Sequence, residues 1–141
     1  MGLETDAVER MLAQWREERA DLDLSGMAVV LRVMRLAGVY SERLKTILAP
    51  VRLAPWEFEV LSALRRRGTS GATPSELCAS AQLTSGAMTH RLDRLEEREL
   101  VRRRRDRDDR RSIRVVLTRR GRSLVDRVLG DRMADAAECL K

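Results

Sequence analysis

"RRRRDRDDRRSIRVVLT", Arg102 to Thr118, packs eight arginines and three aspartates into seventeen positions and then turns apolar. Such a run fits a disordered basic tail, a solvated helix face, or the tip of something that grips a polyanion. The flanking residues decide between them. "LVRRRR" and "SIRVVLT" are two β-capable runs separated by "DRDDRR". In the second, Ile113, Val115 and Leu117 alternate with Arg114 and Val116, the period of a half-buried strand. A disordered tail would not lead straight into "IRVVL" and a further helix. The run therefore predicts a β-hairpin whose apolar second strand ties it to the core and whose tip projects.

The charge distribution points the same way. Of the net +6, the segment from Thr84 to Arg122 holds fourteen Arg against seven Asp and Glu, a local +7, so the rest of the chain carries −1. One segment with the whole excess is the footprint of a localised nucleic-acid surface. The 141 residues suit one folded unit with a core of Leu, Val, Ala and Met, since aromatics are only 3%. No apolar run approaches the ~20 residues that span a bilayer. Acids in "MGLETDAVERM" stand where a secretory signal needs basic residues, so a cytoplasmic location is expected. Cys78 and Cys139 have no metal-ligand or disulfide-framework spacing and read as inert thiols, with redox sensing the alternative.

Helical patterns surround the hairpin. Asp6 to Ala20 places Val8, Met11, Leu12 and Trp15 on one stripe. From Ser25 to about Leu48, Met27, Val30, Leu31, Met34, Ala37, Leu44, Ile47 and Leu48 describe a long amphipathic helix. Pro50 and Pro55 punctuate the chain, and Pro55 opens "PWEFEVLSALRRRG", which Gly68 closes. Thr73-Pro74-Ser75-Glu76 is a capping box for a short helix. After a brief turn, "TSGAMTHRLDRLEER" has Thr84 as N-cap and Ala87, Leu92 and Leu95 as its inner face. Two helices so joined, the second with Arg on its outer face, read as helix-turn-helix. A final helix starts near Thr118, with Leu124, Val125, Val128, Leu129, Met133, Ala136 and Leu140 on one side. A phosphate-loop pattern, a nucleophile elbow and a metal box are all missing, and His90 has no carboxylate or Cys at ligand spacing. Neither an enzyme nor a cofactor is expected.

Helix-turn-helix, hairpin and helix make a winged helix-turn-helix, a mainly α fold of the α+β kind. Over roughly residues 25 to 135 the chain resembles the MarR family of transcriptional regulators. "LAPWEFEVLSALRRRG", "LTSGAMTHRLDRLEERELVRR" and "DRDDRRSIRVVLTRRG" carry the likeness. The resemblance implies a homodimer with interlocked terminal helices: residues 1–50 and 119–141 for dimerisation, with 1–50 also offering an effector pocket, and 51–118 for DNA binding. The apolar faces of Met27 to Leu48 and Leu124 to Leu140 exceed what a small monomer covers, which agrees with pairing. It further implies a palindromic operator with half-sites about one helical turn apart, probed by the helix from Thr84 in the major groove and by the wing in the minor groove.

Site roles follow. Thr84, Ser85 and Gly86 open the recognition helix, where free N–H groups favour phosphate oxygens. Gly86 costs roughly 1 kcal/mol of helix propensity against Ala, a sign of close backbone approach. Ser85, Thr89 and His90 point toward base edges, and Arg91 and Arg94 reach phosphates or bases. At the wing, the resemblance puts Arg111 in the minor groove, oriented by an acid such as Asp109, with Arg107 and Arg110 on phosphates. The aspartates of the tip fix its turn and orient arginines. Where the family commonly has Gly or Asn after the recognition helix, this chain has Glu99. A non-glycine residue in the left-handed conformation costs about 1 kcal/mol, so a different helix end is expected. Many relatives continue past "AAECLK", which reads as a shortened last helix. The extension "QWREERADLD" resembles the subgroup that responds to urate and related anions, which implies an effector pocket at Trp15 and at Glu59, the latter in place of an Asp. On an apolar stripe, Trp15 also reads as core. The combined expectation is a repressor released by a small organic anion. An RNA or protein adaptor, or a thiol-switched repressor, are the alternatives; the wing lacks the stacking aromatics of single-stranded RNA readers.

Overall fold

The computed structural model describes residues 7–81, 84–106 and 111–139. In chain order the elements are α1 (Ala7–Glu18), α2 (Ser25–Leu48), a 3-10 turn (Ala49–Val51), α3 (Pro55–Arg66), α4 (Pro74–Ala81), α5 (Ser85–Glu97), β1 (Val101–Arg105), β2 (Ile113–Leu117) and α6 (Arg119–Cys139). They fall into two compact units, Met1–Arg43 and Leu44–Lys141.

The first unit holds α1 and most of α2. Val8 and Leu12 are buried, and the Glu9 carboxylate accepts hydrogen bonds from Arg16 (2.7 Å) and Arg32 (3.0 Å). Trp15 does not join the buried stripe; half of its surface is exposed. Along α2, Met27, Val30, Val33 and Met34 are exposed, at 51% to 65%.

In the second unit α3 begins at Pro55, and the preceding Ala54 is extended, as the residue before a proline prefers. The Thr73 capping box forms in full: Thr73 N–H donates to Glu76 Oε2 at 2.7 Å and Glu76 N–H to Thr73 Oγ1 at 3.2 Å. The Thr73 bond, more than the nearby Arg67, holds the Glu76 carboxyl below its ordinary range despite partial desolvation. Strands β1 and β2 pair antiparallel from Val101 opposite Leu117 to Arg105 opposite Ile113. The other edge of β2 is met by Ala72, whose N–H and C=O both bond Val115. Gly71 makes that approach possible: at φ +70°, a Cβ there would lie 2.2 Å from the Val115 carbonyl oxygen.

Leu61, Leu77, Met88, Leu92, Leu95 and Val125 form the centre of the core, each fully buried. Burial of each such side chain contributes about 1.5–3 kcal/mol. Two of the sequence's face assignments need correction. Ala87 is exposed, and Met88 takes the inner place, because 88, 92 and 95 share one helical face and 87 lies about 100° away. In β2, Ile113 is 48% exposed near the tip and Val116 is buried, so burial follows distance from the tip more than alternation.

The end of α5 also differs from expectation. Glu99 adopts φ +57°, so the left-handed turn is kept without glycine. Leu100 N–H bonds the Leu95 carbonyl and Glu99 N–H the Glu96 carbonyl, a Schellman motif with buried Leu100 against Leu95. Thr118 Oγ1 donates to the Glu99 carbonyl at 2.6 Å and accepts from Gly121 N–H at 3.0 Å, capping α6 while it fixes the turn. Gly121 itself sits on the Leu100 backbone, where a Cβ would come within 1.9 Å of the carbonyl oxygen.

Candidate nucleic-acid interface

The start of α5 is open to solvent. Thr84 is extended and its hydroxyl accepts from Ala87 N–H at 3.4 Å, the N-cap bond the sequence implied. Thr84, Ser85, Gly86, Thr89 and His90 are all exposed. Thr89 Oγ1 donates to the Ser85 carbonyl at 3.0 Å, which fixes its rotamer. A Cβ on Gly86 would meet no atom within 4 Å, so no packing inside the chain calls for glycine there. Cys78 in α4 is half-buried, and its thiol faces the Thr84 carbonyl at 3.7 Å.

The hairpin is rigidly mounted on this helix. Arg103 N–H donates to Glu96 Oε1 at 2.8 Å, its guanidinium also pairs with Glu96 Oε2, and a second arm reaches Asp93 at 2.6 Å. Burial opposes the charge on Arg103, and the two carboxylates outweigh it, so its pKa is raised. Arg104 donates to the Thr69 carbonyl at 2.8 Å. Two members of the arginine run thus work inward, while Arg102 and Arg105 are exposed. Toward the tip, Asp106 N–H bonds the Ser112 carbonyl at 2.9 Å and its carboxylate pairs with Arg114. Arg111 is exposed where the chain returns to β2. Arg107, Asp109 and Arg110 lie outside the described residues, as does Leu140.

Beneath α5 lies the N-terminus of α3. Glu57 is 2% exposed, and its carboxylate accepts two bonds of 2.8 Å from Arg98 Nη1, besides one from Ala54 N–H. Next to it, the Trp56 ring lies under the guanidinium carbons of Arg91 and Arg94, 5.0 and 5.5 Å from its centroid. Glu59 is exposed on α3 in the second unit, and Trp15 belongs to the first. Among the described residues no group of His, Cys, Asp and Glu is arranged to hold a metal ion, and no helix is long and apolar enough to cross a membrane.

The sequence and the fold both have known relatives. The sequence model of the MarR family matches residues 53–112. The HTH-type transcriptional regulator PecS of Dickeya dadantii is 34% identical over 134 residues, which cover 94% of this chain and 81% of that protein. The chain belongs to the MarR family. A MarR family protein from Bacillus stearothermophilus superimposes with a TM-score of 0.74 at 26% identity, covering 85% of this chain and 83% of that one. The same fold occurs in an S. aureus MepR mutant bound to an oligodeoxyribonucleotide, with a TM-score of 0.66 at 19% identity over 79% and 80% of the two chains. As a MarR-family transcriptional regulator, the chain is a DNA-binding winged-helix protein and not an enzyme.

Four residues of this MarR-family site escape a reading of the sequence: Trp56, Glu57, Arg98 and Arg103. Their partners lie up to 41 positions away, as for Arg98 and Glu57. Only the spacing of Arg91, Arg94 and Arg98 along one helical face hints that they share a support.

Proposed function

We propose that two copies of this chain bind a palindromic operator as a cytoplasmic repressor. Residues 1–50 and 119–141 pair the copies, and residues 51–118 of each grip one half-site. Helix α5 enters the major groove with Ser85, Thr89 and His90 toward base edges, Thr84 and Gly86 against the backbone, and Arg91 and Arg94 on phosphates or bases. The wing reaches the adjacent minor groove through Arg111, oriented by Asp109, with Arg107 and Arg110 on phosphates. The observation that carries this reading is the exposed helix start joined to the arginine hairpin through Arg103, Asp93 and Glu96. The apolar, exposed face of α2, with Met133 exposed on α6, supports pairing. The oligodeoxyribonucleotide held by the MepR mutant supports DNA as the ligand.

Binding of a small organic anion, for which the family resemblance implies Trp15 and Glu59, then weakens DNA affinity. One titration of a duplex from beside its own coding region tests both parts. Arg111→Ala is expected to weaken binding by about 1–3 kcal/mol without unfolding the dimer, and urate added to the wild type is expected to release the duplex. Unchanged affinity in the variant removes the wing from the mechanism, and a duplex retained at saturating urate removes that anion.

A further inference from the structure

The arginines of the recognition helix and of the adjoining strand β1 are held in two chemically different ways. Arg98 and Arg103 are neutralised by carboxylates: Glu57 for the first, Asp93 and Glu96 for the second. Arg91 and Arg94 rest on the Trp56 ring instead. Among the described residues, neither guanidinium takes part in a hydrogen bond or an ion pair. The difference matters for a polyanion. A carboxylate orders an arginine but cancels its charge and occupies its N–H groups. A ring face attracts the cation while leaving the charge and the donors at the guanidinium edge available.

We propose that Trp56 is a positioning residue for DNA binding: its ring holds Arg91 and Arg94 in the orientation in which they meet the DNA backbone. The proposal rests on α5 facing DNA, as argued above. The platform is well fixed. Trp56 is the second residue of α3, half-buried, between Pro55 and the buried Glu57, whose carboxylate binds both Ala54 N–H and Arg98. Arg91, Arg94 and Arg98 lie at spacings of three and four, one stripe of the helix, and all three end on the Trp56-Glu57 pair. Glu57 fastens the end of the stripe, and Trp56 orders the two cations ahead of it. Long side chains immobilised on binding cost entropy, and a cation already ordered on a ring loses less.

The test is a set of affinities for one short duplex at fixed low salt. Trp56→Leu is expected to weaken binding about threefold to thirtyfold, the range of a cation–π contact between exposed and desolvated limits. Trp56→Phe, which keeps a ring of weaker potential, is expected to lose less. The decisive variant adds Trp56→Leu to Arg91→Ala/Arg94→Ala. With both cations gone, the ring has nothing to position, and no further loss is expected. A loss of the same size in that background, or full affinity in Trp56→Leu alone, overturns the proposal. If Trp56→Leu does not fold, Trp56→Phe takes its place, and its smaller loss must likewise vanish without the two arginines. A wild-type chain that ignores the duplex defeats the DNA reading itself, before any variant is compared.

Discussion

Gly86 stands in the first turn of α5 with open space where a side chain would be. Since its own fold places no demand on it, Gly86→Ala is expected to raise stability to urea by about 0.5–1 kcal/mol, the difference in helix propensity. If DNA approaches this backbone closely, the same methyl weakens duplex binding. Stability gained with affinity unchanged would mean that the glycine is not at the interface. Glu99 poses the reverse case, a residue kept where glycine is cheaper. Its carbonyl takes the Thr118 hydroxyl and its side chain reaches Arg120 at 3.2 Å, an exposed pair worth little by itself. The Schellman bonds and the burial of Leu100 are what hold the turn left-handed, and they outweigh about 1 kcal/mol of strain.

The wing depends on its mounting as much as on its tip. Arg103 ties β1 to α5 by three contacts to Asp93 and Glu96, and Ala72 pairs with β2 from the other side. Arg103→Ala keeps the backbone bond to Glu96 and removes both guanidinium contacts. It is expected to lower duplex affinity while leaving the apolar core intact, and amide hydrogen exchange in 101–105 and 113–117 should quicken. Exchange unchanged from wild type would show that the strands need no such anchor. Elements of this kind were legible where the signal is local. The Thr73–Glu76 box, Pro55 and the two β-capable runs around the tip each sit within a few residues of their partners. The arginine run itself was legible only in outline: a repeated Arg carries no mark of whether it turns to Glu96, to the Thr69 carbonyl or to solvent. The one-position difference between Ala87 and Met88 likewise depends on how α5 is rotated against Leu77 and Leu61, a matter of packing rather than pattern.

For the whole molecule, the apolar α2 face is the feature a single chain leaves unexplained. Val33 and Met34 are 60% and 65% exposed on a helix whose Arg32, Arg35, Glu42 and Arg43 lie toward the opposite side, and in the proposed reading a second copy covers the apolar face. In the proposed dimer, pairing would also set the DNA geometry, because two recognition helices related by a two-fold axis require two half-sites. Paired binding to duplex DNA is tested most directly by sedimentation of the purified chain with the duplex immediately upstream of its own coding sequence, over a salt series. Two chains per duplex are expected, with an affinity that falls about a thousandfold or more between about 50 and 200 mM salt. A chain that stays single, or an affinity for the duplex that is absent or indifferent to salt, would contradict it.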